Sequence, residues 1–169
     1  MLAPGNRTVA VTKRSVTRIE FCESLKRLGV ADHSFVVVIS DLAAFGDLER
    51  SGNGDALDGY LDCFRDVMPA QGTVVVPTFT YSRGPNSRYV HEETPSETGV
   101  LTEYVRRLPE ASRSVHPVFS FAAIGGRKDE VCANVSRHSY GWDSTTHRLV
   151  QSDALVISIG RSPHRGSFF

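Results

Sequence analysis

The sequence predicts an α/β fold, with helices on both faces of a mixed or parallel sheet. Two observations carry that prediction. Phe35 to Ile39 (FVVVI) is an unbroken β-branched run, the pattern of a strand buried on both faces, and Ala154 to Ile159 (ALVISI) is a further strand. Amphipathic helical stretches alternate with such runs along the chain. The length of 169 residues and the hydrophobic content of 40% fit one domain around one core.

The elements follow in order. The first 14 residues are polar and are expected to form a flexible N-terminus, leaving 15–169 as the folded domain. Thr17 and Glu20 have the spacing of a capping box, and Phe21, Leu25 and Leu28 line one face of the helix it opens. Gly29 suits a left-handed cap at its end. After the FVVVI strand, 40–54 is loop-like; its Gly52-x-Gly54 is too short to be a dinucleotide fingerprint. Asp55 to Met68 is the second helix, with a stripe of Leu57, Tyr60, Leu61, Phe64 and Val67. Thr73 to Val76 is a strand stopped by Pro77, and Phe79 to Thr94 is a long polar loop of functional size. Ser96 is the expected cap of a third helix, buried through Leu101, Tyr104, Val105 and Leu108. Val118 to Ile124 is a strand, a short helix spans Asp129 to Val135, and ALVISI is the last strand.

Charge and composition exclude several classes. Lys plus Arg and Asp plus Glu both number 19, so there is no net basicity to bind nucleic acid or an anionic membrane. No apolar run approaches the roughly 18 residues of a membrane span, and Met1 to Lys13 lacks the apolar core expected of a secretory signal. Cys22, Cys63 and Cys132 make neither a disulfide framework nor a zinc knuckle. Cys22 and Cys63 extend helix stripes, and thiols so placed are usually inert packing. His147 and His164 are not spaced with His138 as metal ligands, so no metal is expected. The expectation is a cytoplasmic protein, and a homo-oligomer is compatible with all of this.

Four segments at or after strand ends carry candidate chemistry, because ligands of α/β sheets gather outside the carboxyl ends of strands. They are Ile39 to Gly46, Gly72 to Phe79, a long stretch from Thr94 to Gly125, and His138 to Ser144. The third contains P-S-x-x-G-x-L-T-E-x-x-R from Pro95, then R-S-x-H-P from Arg113, then S-x-A-A-x-G from Ser120. In this order the segments resemble the aminoglycoside 3-N-acetyltransferase family. The resemblance implies a three-layer α/β/α domain with a central mixed sheet, distinct from the GNAT fold. It also implies acetyl-CoA as co-substrate and a small-molecule amine acceptor, an aminoglycoside or another amino sugar. Three departures stand out. The family's V-H-S-S-L is Val38-Ile39-Ser40-Asp41-Leu42 here, its H-P-T-H-S is His116-Pro117-Val118-Phe119-Ser120, and the chain reaches Phe169 before the family's H-x-x-E. The domain is therefore expected to be incomplete at its C-terminus, with Phe168 and Phe169 either docked on the core or marking a fragment.

The resemblance and the residue chemistry suggest roles together. An amine must be neutral to attack a thioester, and imidazole titrates near neutrality, so His138 is the candidate general base; the alternative is a surface histidine. Ser40, Asp41 and Leu42 follow a buried strand, where a hydroxyl and backbone N–H groups suit pyrophosphate; the alternative is that Ser40 and Asp41 form an N-cap. Arg113, Ser114 and His116 are expected along the coenzyme, the alternative being an Arg113 paired with Glu103 or a helix end. Thr78, Phe79 and Ser120 are expected along its thiol arm. Tyr81, Arg83, Tyr89 and His91 could cover the acceptor, with Asp47, Glu92, Glu93 and Asp143 as carboxylates for its ammonium groups. An inactive coenzyme-binding relative is the rival reading.

Overall fold

The computed structural model describes residues 15–49, 55–81 and 88–161. The first 14 residues, Gly52, Gly54, Arg83, His164 and Ser167 to Phe169 lie outside the described residues. The order of elements is β1 (Ser15–Val16), α1 (Arg18–Arg27), a 3₁₀ turn (Val30–Asp32), β2 (Phe35–Ser40), α2 (Leu42–Phe45), β3 (Asp47–Leu48) and α3 (Ala56–Val67). There follow β4 (Thr73–Pro77), α4 (Val100–Arg107), β5 (Ser112–Arg113), β6 (Phe121–Gly125), α5 (Lys128–Cys132), α6 (Thr145–Gln151) and β7 (Leu155–Ile159).

The local signals are realised as bonds. The Thr17 hydroxyl accepts the Glu20 N–H at 3.1 Å and the Glu20 carboxylate accepts the Thr17 N–H at 2.9 Å, closing the capping box of α1. Gly29 follows the helix at φ 81°, a conformation costly for any residue with a Cβ. Asp55 caps α3 through the Leu57 N–H at 2.9 Å. Pro69 and Gly72 turn the chain into β4.

The central sheet has the order β5-β6-β4-β2-β7. β2 lies parallel to β4 and β7, whereas β6 runs antiparallel to both β4 and β5, so the sheet is mixed. Every residue of β2 and β4 is buried, which is why both read as continuous apolar runs rather than alternating ones. Val36 and Val38 of β2 face a core formed with Phe21 and Leu25 of α1, Leu61 and Phe64 of α3, and Leu101 and Val105 of α4. Phe35 and Val37 face a second core with Val131 and Cys132 of α5 and Leu149 of α6. Two helical layers thus enclose the sheet, as the family resemblance implied.

The structure corrects several boundaries. α4 begins at Val100, not near Ser96: its cap position is Gly99 at φ 128°, with no side-chain cap. The Ser96 hydroxyl instead bonds Thr98 and Thr102 at 2.7 and 2.9 Å. β6 begins at Phe121, not Val118, because the Val118 and Phe119 N–H groups are spent in a turn on His116 Nδ1, at 3.1 and 2.8 Å. Two helices are additions to the sequence reading. α2 is a single turn capped by Asp41, and α6 is capped by Ser144, which accepts the His147 N–H at 3.1 Å. Among the described residues, no helix is long and apolar enough to cross a membrane.

Candidate functional site

Strand direction assembles the four segments at one end. β2, β4 and β7 point their carboxyl ends the same way, with Ser40 opposite Ile159. β6 is reversed, so it enters the sheet at that end: Phe121 pairs with Pro77. β5 leaves there at Arg113, opposite Ala122. Ser40, Thr78, Arg113, Ser114 and Ser120 therefore share one edge.

The middle of that edge is a closed polar lock. Arg113 Nη1 donates to the carbonyls of His91 and Thr94, both at 2.7 Å, its Nη2 donates to the Thr78 carbonyl at 3.2 Å and its Nε donates to Ser120 Oγ at 3.1 Å. Its guanidinium also lies 5.4 Å from the Tyr89 ring centroid. The arginine thereby ties the 88–95 loop to the sheet. Ser120 Oγ donates to the Thr78 carbonyl at 2.8 Å and lies 2.9 Å from Thr78 Oγ1. Ser114 Oγ accepts the Phe121 N–H at 2.9 Å. Thr78, Ser114 and Ser120 are only 0%, 1% and 1% exposed; the first and last bond each other, and Ser114 bonds the Phe121 backbone. Glu103 is not the partner of Arg113. Burial alone would raise the Glu103 carboxyl, but bonds from the Arg106 side chain and the Ser96 N–H hold it below the usual carboxylate range.

His116 connects this lock to the 136–144 loop. Its Nδ1 accepts the two backbone N–H groups already described, so the proton of the neutral ring sits on Nε2 and is donated to Ser139 Oγ, 3.0 Å away. Burial pushes its pKa down, in keeping with a neutral ring. Phe119 packs against Tyr140 of the same loop and against Tyr81, with centroids 5.9 and 6.4 Å apart. The Tyr81 N–H donates to the Glu97 carboxylate at 3.0 Å.

His138 stands beside Ser139 on that loop, exposed, and makes no hydrogen bond among the described residues. A Cβ placed on Gly141 would come 3.0 Å from its Cβ and 3.2 Å from its Cγ, so the imidazole rests against the Gly141 backbone. The other described histidines are occupied differently. His33 Nδ1 lies 3.0 Å from the Asp153 carbonyl, His91 Nδ1 lies 3.3 Å from the Tyr89 hydroxyl, and His147 stacks on Trp142 at 4.6 Å.

Beside β2, the Asp41 N–H is taken by the Ile159 carbonyl at 2.8 Å, and its carboxylate caps α2 through the Ala44 N–H at 3.2 Å. Ser40 is 6% exposed, and its hydroxyl makes no hydrogen bond among the described residues. Two adjoining cavities open here. One of about 510 Å³ is lined by Leu42, Ala43, Leu57 and Val100. The other, of about 680 Å³, shares Leu57 and Val100 and adds Glu97, Gly99 and Tyr104. A Cβ on Gly99 would lie 3.5 Å from the Ser40 carbonyl, so the start of α4 abuts the end of β2. Tyr104 donates to Asp58 at 2.5 Å, and that bond with burial pushes its hydroxyl up to about 12.

Sequence reasoning missed these cavities, the role of Gly99 and the link from His116 to Ser139. Only Gly99 left a local signal, a glycine directly before an apolar helical stripe. Of the expected acceptor carboxylates, Asp143 is engaged by Arg148 at 2.8 Å, which holds it below the usual range. Among the described residues, no three His, Cys, Asp or Glu side chains cluster as a metal site.

The family model for aminoglycoside 3-N-acetyltransferase matches residues 37–169. Aminoglycoside N(3)-acetyltransferase VII of Streptomyces paromomycinus is 30% identical over 175 residues, covering 90% of this chain and 59% of the relative. The SPbeta prophage-derived aminoglycoside N(3')-acetyltransferase-like protein YokD of Bacillus subtilis is 28% identical over 175 residues, covering 88% of this chain and 60% of the relative. Among solved structures, AAC-IIIb in a binary complex with CoASH superposes with a TM-score of 0.73 at 22% identity, covering 86% of this chain and 59% of that one. The chain thus spans about three fifths of the length of these relatives. With segment order, mixed sheet and a match over residues 37–169 in agreement, the chain belongs to the aminoglycoside 3-N-acetyltransferase family.

Proposed function

We propose that this chain is the coenzyme-binding part of an acetyl-CoA-dependent N-acetyltransferase that acylates an amine of an aminoglycoside or another amino sugar, in the cytoplasm. The observation that carries the reading is the place of Ser40 at the carboxyl end of β2: its hydroxyl makes no hydrogen bond among the described residues, and it sits between Leu42 and Gly99, which line two adjoining cavities. A thioester donor with a flexible apolar arm and an anionic pyrophosphate suits such a groove. Family membership and the CoASH complex of a structural relative support it.

In this reading Ser40 and Leu42 meet the coenzyme directly, and Asp41 fixes α2 beside it. Thr78, Ser114, Ser120 and Arg113 act behind the coenzyme: they hold the edge and the 88–95 loop in place. His116 donates to Ser139 and so positions the loop that carries His138. His116 cannot serve as base while its Nδ1 lone pair accepts two N–H groups. The His138 imidazole, exposed and without a hydrogen bond among the described residues, takes the proton from the acceptor nitrogen as that nitrogen attacks the thioester carbon. The nitrogen–carbon bond forms, the carbon–sulfur bond breaks, and the coenzyme leaves as a thiolate. A base of this kind contributes roughly 10²–10⁴-fold in rate.

The test is calorimetric titration with acetyl-CoA together with thiol release over a panel of amino sugars. Binding with turnover is the expected result. Binding without turnover is the outcome of the second reading, a coenzyme-binding relative without activity. Ile39 favours that reading: it occupies the position of the family histidine, is buried in β2 and offers no polar group. Absence of binding would overturn both.

A further inference from the structure

The interface of α1 and α3, in the same helical layer as α4 but lining a separate cavity, brings two sulfurs together. Cys63 lies on α3, fully buried, and its Sγ donates to the Arg18 carbonyl in the first turn of α1 at 3.8 Å. Cys22 lies one turn further along α1, where the helical ladder directs its N–H to the same Arg18 carbonyl, and its nearness is one cause of the raised Cys63 pKa. Their environments differ. Cys22 is half-buried and lines an open cavity of about 620 Å³, with Arg18, Glu23, Lys26, Glu49 and Asp66 around it. Cys63 is fully buried and does not line that cavity. Cys132 belongs to the other core, where its Sγ faces the Phe121 carbonyl at 3.7 Å.

We propose that Cys22 and Cys63 form a reversible dithiol–disulfide pair that links α1 to α3 when a peroxide enters the cavity. Cys22, the sulfur open to solvent, reacts first. Its thiolate attacks one oxygen of hydrogen peroxide, the O–O bond breaks, and the departing hydroxide takes a proton and leaves as water. Cys22 is then a sulfenic acid. The Cys63 sulfur attacks the Cys22 sulfur, the S–O bond breaks, and a second water leaves with the Cys63 proton. Two thiols are oxidised by two electrons and one peroxide is reduced to two waters. Burial and the neighbouring Cys22 push the Cys63 thiol up to about 12, which assigns it the resolving role and not the first attack. The pair gives a partly exposed cysteine a partner that stops oxidation at the reversible stage.

The experiment treats the folded chain with hydrogen peroxide, removes the excess, unfolds it in an alkylating agent, and maps the peptides by mass spectrometry. The chain carries three free cysteines, so the alkylated count is expected to fall from three to one, with Cys22 and Cys63 in one cross-linked peptide and Cys132 alkylated. Dithiothreitol restores three, and the oxidised chain melts at a higher temperature than the reduced one. A count that stays at three overturns the proposal. So does a fall to two with Cys22 as sulfinic acid and Cys63 alkylated. In Cys22→Ser, which keeps the buried sulfur, both remaining thiols stay reduced; oxidation of Cys63 there would also overturn it.

Discussion

Two regions carry the residues by which the chain resembles its family, and they use polar groups in opposite ways. At the 112–121 edge, Arg113, Ser120 and Thr78 spend their hydrogen bonds on one another and on backbone carbonyls, and Ser114 accepts the Phe121 N–H. On the 136–144 loop, His138 is exposed and has no internal hydrogen bond among the described residues. A motif residue is therefore not by its nature a ligand contact. Buried polar groups must be satisfied, and a site needs a rigid frame as much as it needs reactive groups. The edge is frame, and under the proposed reaction the loop is the part presented to a substrate.

The sharpest way to break this contrast is His138→Ala. We expect kcat for amine acylation to fall about 10²–10⁴-fold with the melting temperature unchanged, since the ring makes no hydrogen bond to the described fold. Equal rates in stopped-assay thiol release would remove His138 from the chemistry. Arg113→Met should show the reverse: urea unfolding is expected to register a loss of about 3 kcal/mol, since hydrogen bonds to charged groups are worth roughly 1.5–3 kcal/mol each and do not add. Faster cleavage of the 88–95 loop by protease should accompany it. An unaltered unfolding midpoint would mean that the lock is ornamental.

Asp41→Ala separates capping from coenzyme contact. Loss of a cap costs about 1 kcal/mol, so a modest stability loss is expected with acetyl-CoA affinity reduced through a loosened α2. A large affinity loss with stability intact would instead make Asp41 a direct contact. The smallest effect concerns His116. Its folded pKa lies below the ordinary value of about 6.5, so between those two values the folded state binds fewer protons than the unfolded one. Stability should rise with pH through that window and be lost as pH falls from about 6.5 toward the folded value. His116→Asn should flatten the dependence of the urea midpoint; identical slopes in both proteins would contradict the neutral, Nε2-protonated ring.

The sheet was legible because its central strands are buried on every residue and carry β-branched apolar runs, and α1 and α3 because cap and stripe agree. The four motif segments were legible too, together with their gathering at strand ends. What was not legible depends on partners far away in the chain. The bonds from Arg113 to Thr78, His91 and Thr94 cross 35, 22 and 19 residues, and no local spacing announces them. α6 was hidden because Thr145, Thr146 and His147 are weak helix formers, and its existence rests on the Ser144 cap and the burial of Leu149. Ser96 misled for the opposite reason: it is a good cap residue in a place where a glycine turn against the Ser40 carbonyl decides where the helix starts.

Gly141 gives that contrast a historical dimension. One missing methyl group sets how the imidazole of residue 138 leans, because any side chain there would press on the ring's root. Loop geometry could thus be retuned by a single-codon change that touches neither the frame nor the imidazole itself. Selection for a new acceptor would have, at that glycine, a screw to turn without dismantling the instrument.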